Sequence, residues 1–235
     1  MSDKLKTGLF GVSLLLLSAC TETVDSKNIR TAGIAAIITA DATADSATTV
    51  TATLKVGGSS SNTYVDLAGG DRIFATGGDK RVEMQSQGTG TYEAEFNTAA
   101  VDTEFLVDLQ READDDAPSS RGTLPAPFAM VLPNVTTSRA QPLTVTWTPA
   151  GSNDDVTIEL TGTCIFNRTI DVPGDPGSHT ITAGTLVSTK ADKPETCDVN
   201  VEMIRSRKGT ADPIFDSESS FILAQTRTGK FTSEP

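Results

Sequence analysis

Most apolar residues in this chain recur at a period of two. In Thr48–Val56, "TTVTATLKV", Val50, Ala52, Leu54 and Val56 face one way, and threonines and a lysine face the other. "TYEAEF" (91–96) sets Tyr92, Ala94 and Phe96 against two glutamates, and "EFLVDL" (104–109) does the same with Phe105, Val107 and Leu109. Shorter runs, "TYVDL", "RIFAT" and "RVEMQ", are punctuated by Gly69-Gly70-Asp71 and Gly77-Gly78-Asp79, which supply turn chemistry. A side-chain period of two is the geometry of a strand with one buried face. No stretch carries a convincing period of 3.6, so the expected fold is all-β.

The alternation lapses over residues 111–128, "READDDAPSSRGTLPAPF", where aspartates, prolines and serines collect. It then resumes. Leu143, Val145 and Trp147 share one face of "LTVTWTP", and Val156, Ile158 and Leu160 share one face of "DVTIELTG". Cys197, Val199, Val201 and Met203 do so in "ETCDVNVEMI", and "SFILAQTR" offers a closing strand. In 235 residues there is room for two small domains. The expectation is two tandem antiparallel β-sandwiches, residues 34–116 and 117–235.

Residues 1–20 have a different character. Lys4 and Lys6 precede an apolar run from Leu9 to Leu17, followed by Ser18-Ala19-Cys20. A basic start, a short apolar middle and small residues before a cut form a secretory signal, and the run is too short to span a bilayer comfortably. Leu17-Ser18-Ala19-Cys20 resembles the lipobox of bacterial lipoproteins; an ordinary signal peptide ending near a cysteine is the alternative. The resemblance implies removal of residues 1–19, lipidation of Cys20 with palmitate-type acyl chains, and a membrane partner. Two or three chains anchor stably where one does not. Thr21 stands where an aspartate retains such proteins at the inner membrane, so in a Gram-negative source the implied address is the outer membrane. Residues 20–33 are polar and aperiodic, and read as a tether reaching about 20 Å.

With Cys20 lipidated, Cys164 and Cys197 remain as an even pair in an oxidising compartment, which points to a disulfide closing a 33-residue loop. "APSSRGTLPAPF" followed by "LTVTWTP" resembles the entry into immunoglobulin-like or fibronectin-like modules of extracellular proteins. It departs from the antibody pattern in that Trp147 precedes both cysteines instead of lying between them.

The chemistry-bearing residues are few. The chain lacks a nucleophile elbow, a zinc-protease helix motif and a phosphate loop. Its one histidine, His179, lies in the loop-like "GDPGSH" beside Ser178, and adjacent strand residues point to opposite faces. Net charge of −12 disfavours a nucleic-acid partner. Asp114, Asp115 and Asp116 are calcium candidates at the expected domain junction, with Asp154, Asp155, Asp212, Asp216 and Glu218 as further oxygen donors. A solvated acidic linker is the plainer reading of the same run. "RSRKG" (205–209) reads as the charged end of a hairpin, and Trp147 as core. The expected function is a non-catalytic, lipid-anchored interaction module of the cell envelope that binds another envelope protein or a glycan. The alternative is an accessory lipoprotein binding glycan or calcium.

Overall fold

The computed structural model describes residues 21–44, 46–132 and 136–235; the expected signal and lipobox, Cys20 included, lie outside the described residues. The strands are β1 (Glu22–Asp25), β2 (Ile34–Ala44), β3 (Ala47–Val56), β4 (Thr63–Asp66), β5 (Arg72–Gly77) and β6 (Lys80–Glu83). Next come β7 (Gln85–Gly88), β8 (Thr91–Phe96), β9 (Glu104–Gln110), β10 (Ala117–Thr123), β11 (Ala129–Val131) and β12 (Thr136–Ser138). The rest are β13 (Leu143–Thr148), β14 (Asp155–Gly162), β15 (Arg168–Val172), β16 (Ser178–Ile181), β17 (Cys197–Lys208) and β18 (Ser220–Glu234).

Two β-sandwiches result, and the period-two faces are their cores. In the first, Val50, Ala52 and Leu54 of β3 and Ala94 and Phe96 of β8 are buried with Phe105, Val107 and Leu109 of β9. In the second, Leu143, Val145 and Trp147 of β13 are buried with Val156, Ile158 and Leu160 of β14 and Val199, Val201 and Met203 of β17. The opposing layers are β10–β9–β5–β6 in the first sandwich and β11–β13–β16 in the second. One long sheet, ordered β1–β4–β3–β2–β18–β17–β14–β15, runs through both.

The division between cores therefore does not follow the chain at 116/117. Ala117–Thr123, expected to open the second domain, forms β10 and pairs with β9 of the first. At the other end, β18 first runs parallel to β2, Ser220 to Gln225 against Ile37 to Ala42. Its partner along nearly its whole length is β17, from Ile222 opposite Lys208 to Ser233 opposite Cys197. Phe221 and Leu223 thus enter the first core, with Phe215 beside them, while Phe231 enters the second. Burying two such side chains contributes roughly 1.5–3 kcal/mol each. The sandwich layers are mainly antiparallel, but β1–β4, β2–β18 and β12–β18 are parallel pairs.

The expected tether is also replaced by structure. Residues 22–25 add β1 to the sheet edge beside β4, and two short 3-10 turns follow at Ser26–Asn28 and Thr31–Gly33. Ser26 and Thr31 are fully buried.

Candidate functional site

Arg111 shows how the N-terminal segment is held. It leaves β9 at the start of the expected linker, yet its side chain is only 1% exposed and pairs with the buried Asp71 at 2.8 Å. Its remaining donors reach Thr31 Oγ1 at 2.9 Å and the carbonyls of Ser26 and Ile29 at 2.8 and 2.9 Å. Ser26 Oγ and the Glu112 N–H donate to the same Asp71 carboxylate. Burial alone raises the Asp71 carboxyl, but the bonds from Ser26 and Glu112 and the Arg111 charge outweigh it and hold the group below its ordinary value. Removing one partner of such a buried pair costs about 3–5 kcal/mol. For Arg111→Ala the expected result is a stability loss of that size, with backbone amides of residues 22–33 losing hydrogen-exchange protection ahead of the β9 core.

The acidic run belongs to this clamp. Asp114 Oδ2 accepts from the Thr31 N–H at 2.6 Å, the Asp115 carbonyl accepts from Thr31 Oγ1 at 2.6 Å, and Asp116 Oδ1 accepts from the Arg111 N–H at 2.6 Å. The Thr31 backbone bond is the leading cause of the lowered Asp114 carboxyl. Four of the five other candidate donors are engaged elsewhere: Asp154 with Arg207, Asp212 with Ser119, Asp216 with the Glu218 N–H, and Glu218 with Ser59, while Asp155 is exposed on β14. Among the described residues no group of three or more His, Cys, Asp or Glu side chains gathers as a metal site. Calcium wants roughly six to eight converging oxygens. In the structure the run supplies acceptors to its neighbours, the Asp114 and Asp116 carboxylates and the Asp115 carbonyl serving Thr31 and Arg111.

The reading of "RSRKG" as a charged hairpin end is corrected. Arg205 continues the inward parity of Val201 and Met203 and is 1% exposed between the two cores. It donates to the carbonyls of Ala126 at 2.7 Å and Pro149 at 2.6 Å, pairs with Asp175 at 3.0 Å, and packs over the Phe128 ring. Asp175 also accepts from Trp147 Nε1 and from Ser152. Its carboxyl, raised by burial, is brought below its ordinary value by the Ser152 and Trp147 bonds and the Arg205 charge. Arg207 pairs with Asp154 and reaches back to Asp102 and Thr123 of the first sandwich, which raises its own pKa, the Asp154 bonds foremost. Gln225, opposite Arg205, donates to the carbonyls of Ala99 and Pro125. Arg227 packs on Phe128 from the next inward position of β18. The seam between the sandwiches is therefore polar, buried and hydrogen-bonded.

These carboxylates fix an acid dependence. A lowered folded-state pKa adds stability that is present above the unfolded value of 3.8 and is lost as pH falls through the folded value. Asp41, raised by burial against the Thr226 bond and the Arg227 charge, works in the opposite sense. The expected urea-unfolding stability is level from neutral pH down to about 5 and falls below about 4. Asp175→Asn should flatten part of that fall.

Cys164 and Cys197 are joined, Cα atoms 5.7 Å apart, at the end of the second sandwich remote from β1. Arg139, buried, braces this end through Ser233 Oγ at 3.1 Å and the Glu195 carbonyl at 2.9 Å. Just outside the disulfide, Phe166 and Val187 are 55% and 44% exposed, and the Phe166 N–H donates to the Val187 carbonyl. On the outer face of the same sandwich a cleft of about 490 Å³ is lined by Glu159, Thr161, Asn200, Glu202, Thr228 and Lys230. Glu159 stands directly opposite Glu202. His179 is half-buried on β16 opposite Val145, so it is a strand residue and not a loop one, while Ser178 lies opposite Thr146 on the alternate face.

No protein-family model matches the chain, and no curated protein matches it. Among solved structures it is similar to a two-domain fibronectin type-III segment of chicken tenascin, at 11% identity and a TM-score of 0.28, covering 84% of this chain and 98% of that one. It is also similar to a tetra-tandem repeat from the extending region of a large adhesion protein, at 18% identity and a TM-score of 0.25, covering 84% and 49%. A central fibronectin-III array of RIM-binding protein gives 11% identity, a TM-score of 0.27, and coverage of 85% and 68%. At such values the assignment of two β-sandwiches rests on the strand pairing itself.

Proposed function

We propose that the mature chain begins at a lipidated Cys20, resides at the bacterial outer membrane, and acts without catalysis as an interaction module whose partner is another envelope protein. The observation that carries this reading is the shared β17–β18 hairpin with its arginine seam. It joins two sandwiches into one body and commits Arg205 and Arg207, with Asp175 and Asp154, to holding that body together. Such a body suits presentation of a surface, and the exposed Phe166 and Val187 beside the disulfide are the apolar side chains at its far end. Two experiments test the reading. Metabolic labelling with palmitate should mark the wild-type chain and not Cys20→Ala. A photoreactive residue at position 166, activated in intact cells, should capture one envelope protein repeatedly; recovery of lipid and peptidoglycan alone would overturn the protein-partner reading.

A second reading, glycan binding, draws on the outer-face cleft. Glu159 and Glu202 oppose each other, and among the described residues their carboxylates have no hydrogen bond or ion pair, an arrangement of like charges that costs stability in a cross-strand pair. Hydroxyl groups of a sugar would occupy those acceptors, with Asn200 and Lys230 as donors. Calorimetric titration with cell-wall oligosaccharides distinguishes it: heat lost in Glu202→Ala supports a glycan, and no heat with the wild type rejects it.

A further inference from the structure

The mount, more than the body, is where the structure departs furthest from the sequence. One residue, Thr21, lies between Cys20 and β1, and a single residue spans at most about 3.6 Å. From Glu22 onward the chain is bound. β1 pairs with β4 in four successive register positions, the Glu22 N–H donates to the Asn62 carbonyl, and Ser26 through Thr31 are pinned by Arg111, Asp71 and Asp114.

Strand directions then place the ends. β1 runs parallel to β4, β4 antiparallel to β3, and β3 antiparallel to β2, so β1 and β2 point the same way. β18 runs parallel to β2 and ends beside the disulfide-bearing end of β17. Thr21 therefore sits at one pole, next to the 57–62 hairpin, and Cys164–Cys197 sits at the other. At about 3.3 Å per residue along β18, the two poles are on the order of 50 Å apart.

We propose that residues 22–33 are a rigid mount facing a lipid surface. They hold the body with its Thr21 pole at the bilayer and its Cys164–Cys197 pole outward, instead of letting it swing on a tether. This rests on the reading that Cys20 carries lipid. The pole that meets the headgroups is hydroxyl-rich and acidic: Ser59, Ser60, Ser61, Glu22 and Glu218, with Glu218 bonded to the Ser59 N–H and hydroxyl. Lys55 at this pole is turned onto Ser59 and the Tyr64 ring, and of the mount's own exposed cations, Lys27 and Arg30, Lys27 is paired with Asp25. Such a surface stays hydrated against headgroups and does not insert. Attachment is left to the acyl chains, and orientation to the mount.

The test uses the full lipidated chain purified from membranes and reconstituted in phosphatidylcholine vesicles bearing a headgroup-linked acceptor dye. With Cys20 lipidated and Cys164 bonded to Cys197, a donor dye is placed at Ser60→Cys or at Lys193→Cys, both exposed, one at each pole. Energy transfer at position 60 should exceed that at position 193 several-fold. Arg111→Ala should narrow the difference, and Asp114→Ala, which removes only a surface cap, should narrow it less while leaving the fold intact. Equal transfer at the two positions in a chain that floats with the vesicles overturns the mount and leaves the lipid reading standing. A chain that does not float overturns the lipid reading, and the mount with it.

Discussion

Arg205→Ala is expected to lower the stability of the whole chain by about 3–5 kcal/mol, the cost of leaving a buried charge without its partner. The substitution strips the Asp175 carboxylate of its cation and leaves the carbonyls of Ala126 and Pro149 without donors. It also opens space against Phe128. Trp147 is the sole tryptophan, is buried, and donates to the same Asp175, so its fluorescence reads the event directly. Because β18 belongs to both cores, urea unfolding should remain one transition whose midpoint drops while its slope holds. Two separated transitions in the variant would show that the hairpin does not couple the sandwiches. A companion variant, Arg205→Met with Asp175→Asn, should recover much of the loss, since it removes charge from both sides of the seam. Asparagine also tolerates the positive φ of 51° at position 175.

Reduction of Cys164–Cys197 is the second large effect. Closing a loop of 33 residues is worth roughly 3–4 kcal/mol on the chain-entropy model. The expected loss falls on the second sandwich, because the bond ties the turn after β14 to the start of β17 and both cysteines pack with the second core. The measurement is thermal unfolding of the purified protein with and without reductant, against Cys164→Ala/Cys197→Ala as the permanently reduced form. Reductant should lower the wild-type Tm to near that of the double variant and leave the double variant unmoved. A wild-type shift of less than a degree would mean that the bond contributes nothing to the equilibrium.

Both expectations concern residues whose meaning was partly visible in the chain. The inward faces of β3, β8, β9, β13, β14 and β17 are the alternating apolar positions themselves, because a strand's side-chain period is local and needs no knowledge of its neighbour. The same alternation places Arg205 and Arg207 in phase with Val201 and Met203, a signal that was present but masked by their charge. Strand β2, rich in alanine, and β10, rich in serine, carried too little contrast between faces to be read. The N-terminal clamp gave no local sign at all, since Arg111 meets Ser26 across 85 residues.

Residue order alone thus sets which side of each strand turns inward and where turns break the pairing. Tertiary structure decides which strands become neighbours, and with that which polar groups lose water. The β2–β18 pairing joins residues some 185 positions apart, as in the Thr226–Asp41 bond. Neighbours assembled in this way make Arg205 a buried strut and Asp114 a backbone cap, and the β1–β4 pairing with the Arg111 contacts orders residues 22–33 where a tether was expected. Burial is a property of the assembled neighbours, so the same aspartate or arginine is solvated in one arrangement and structural in another.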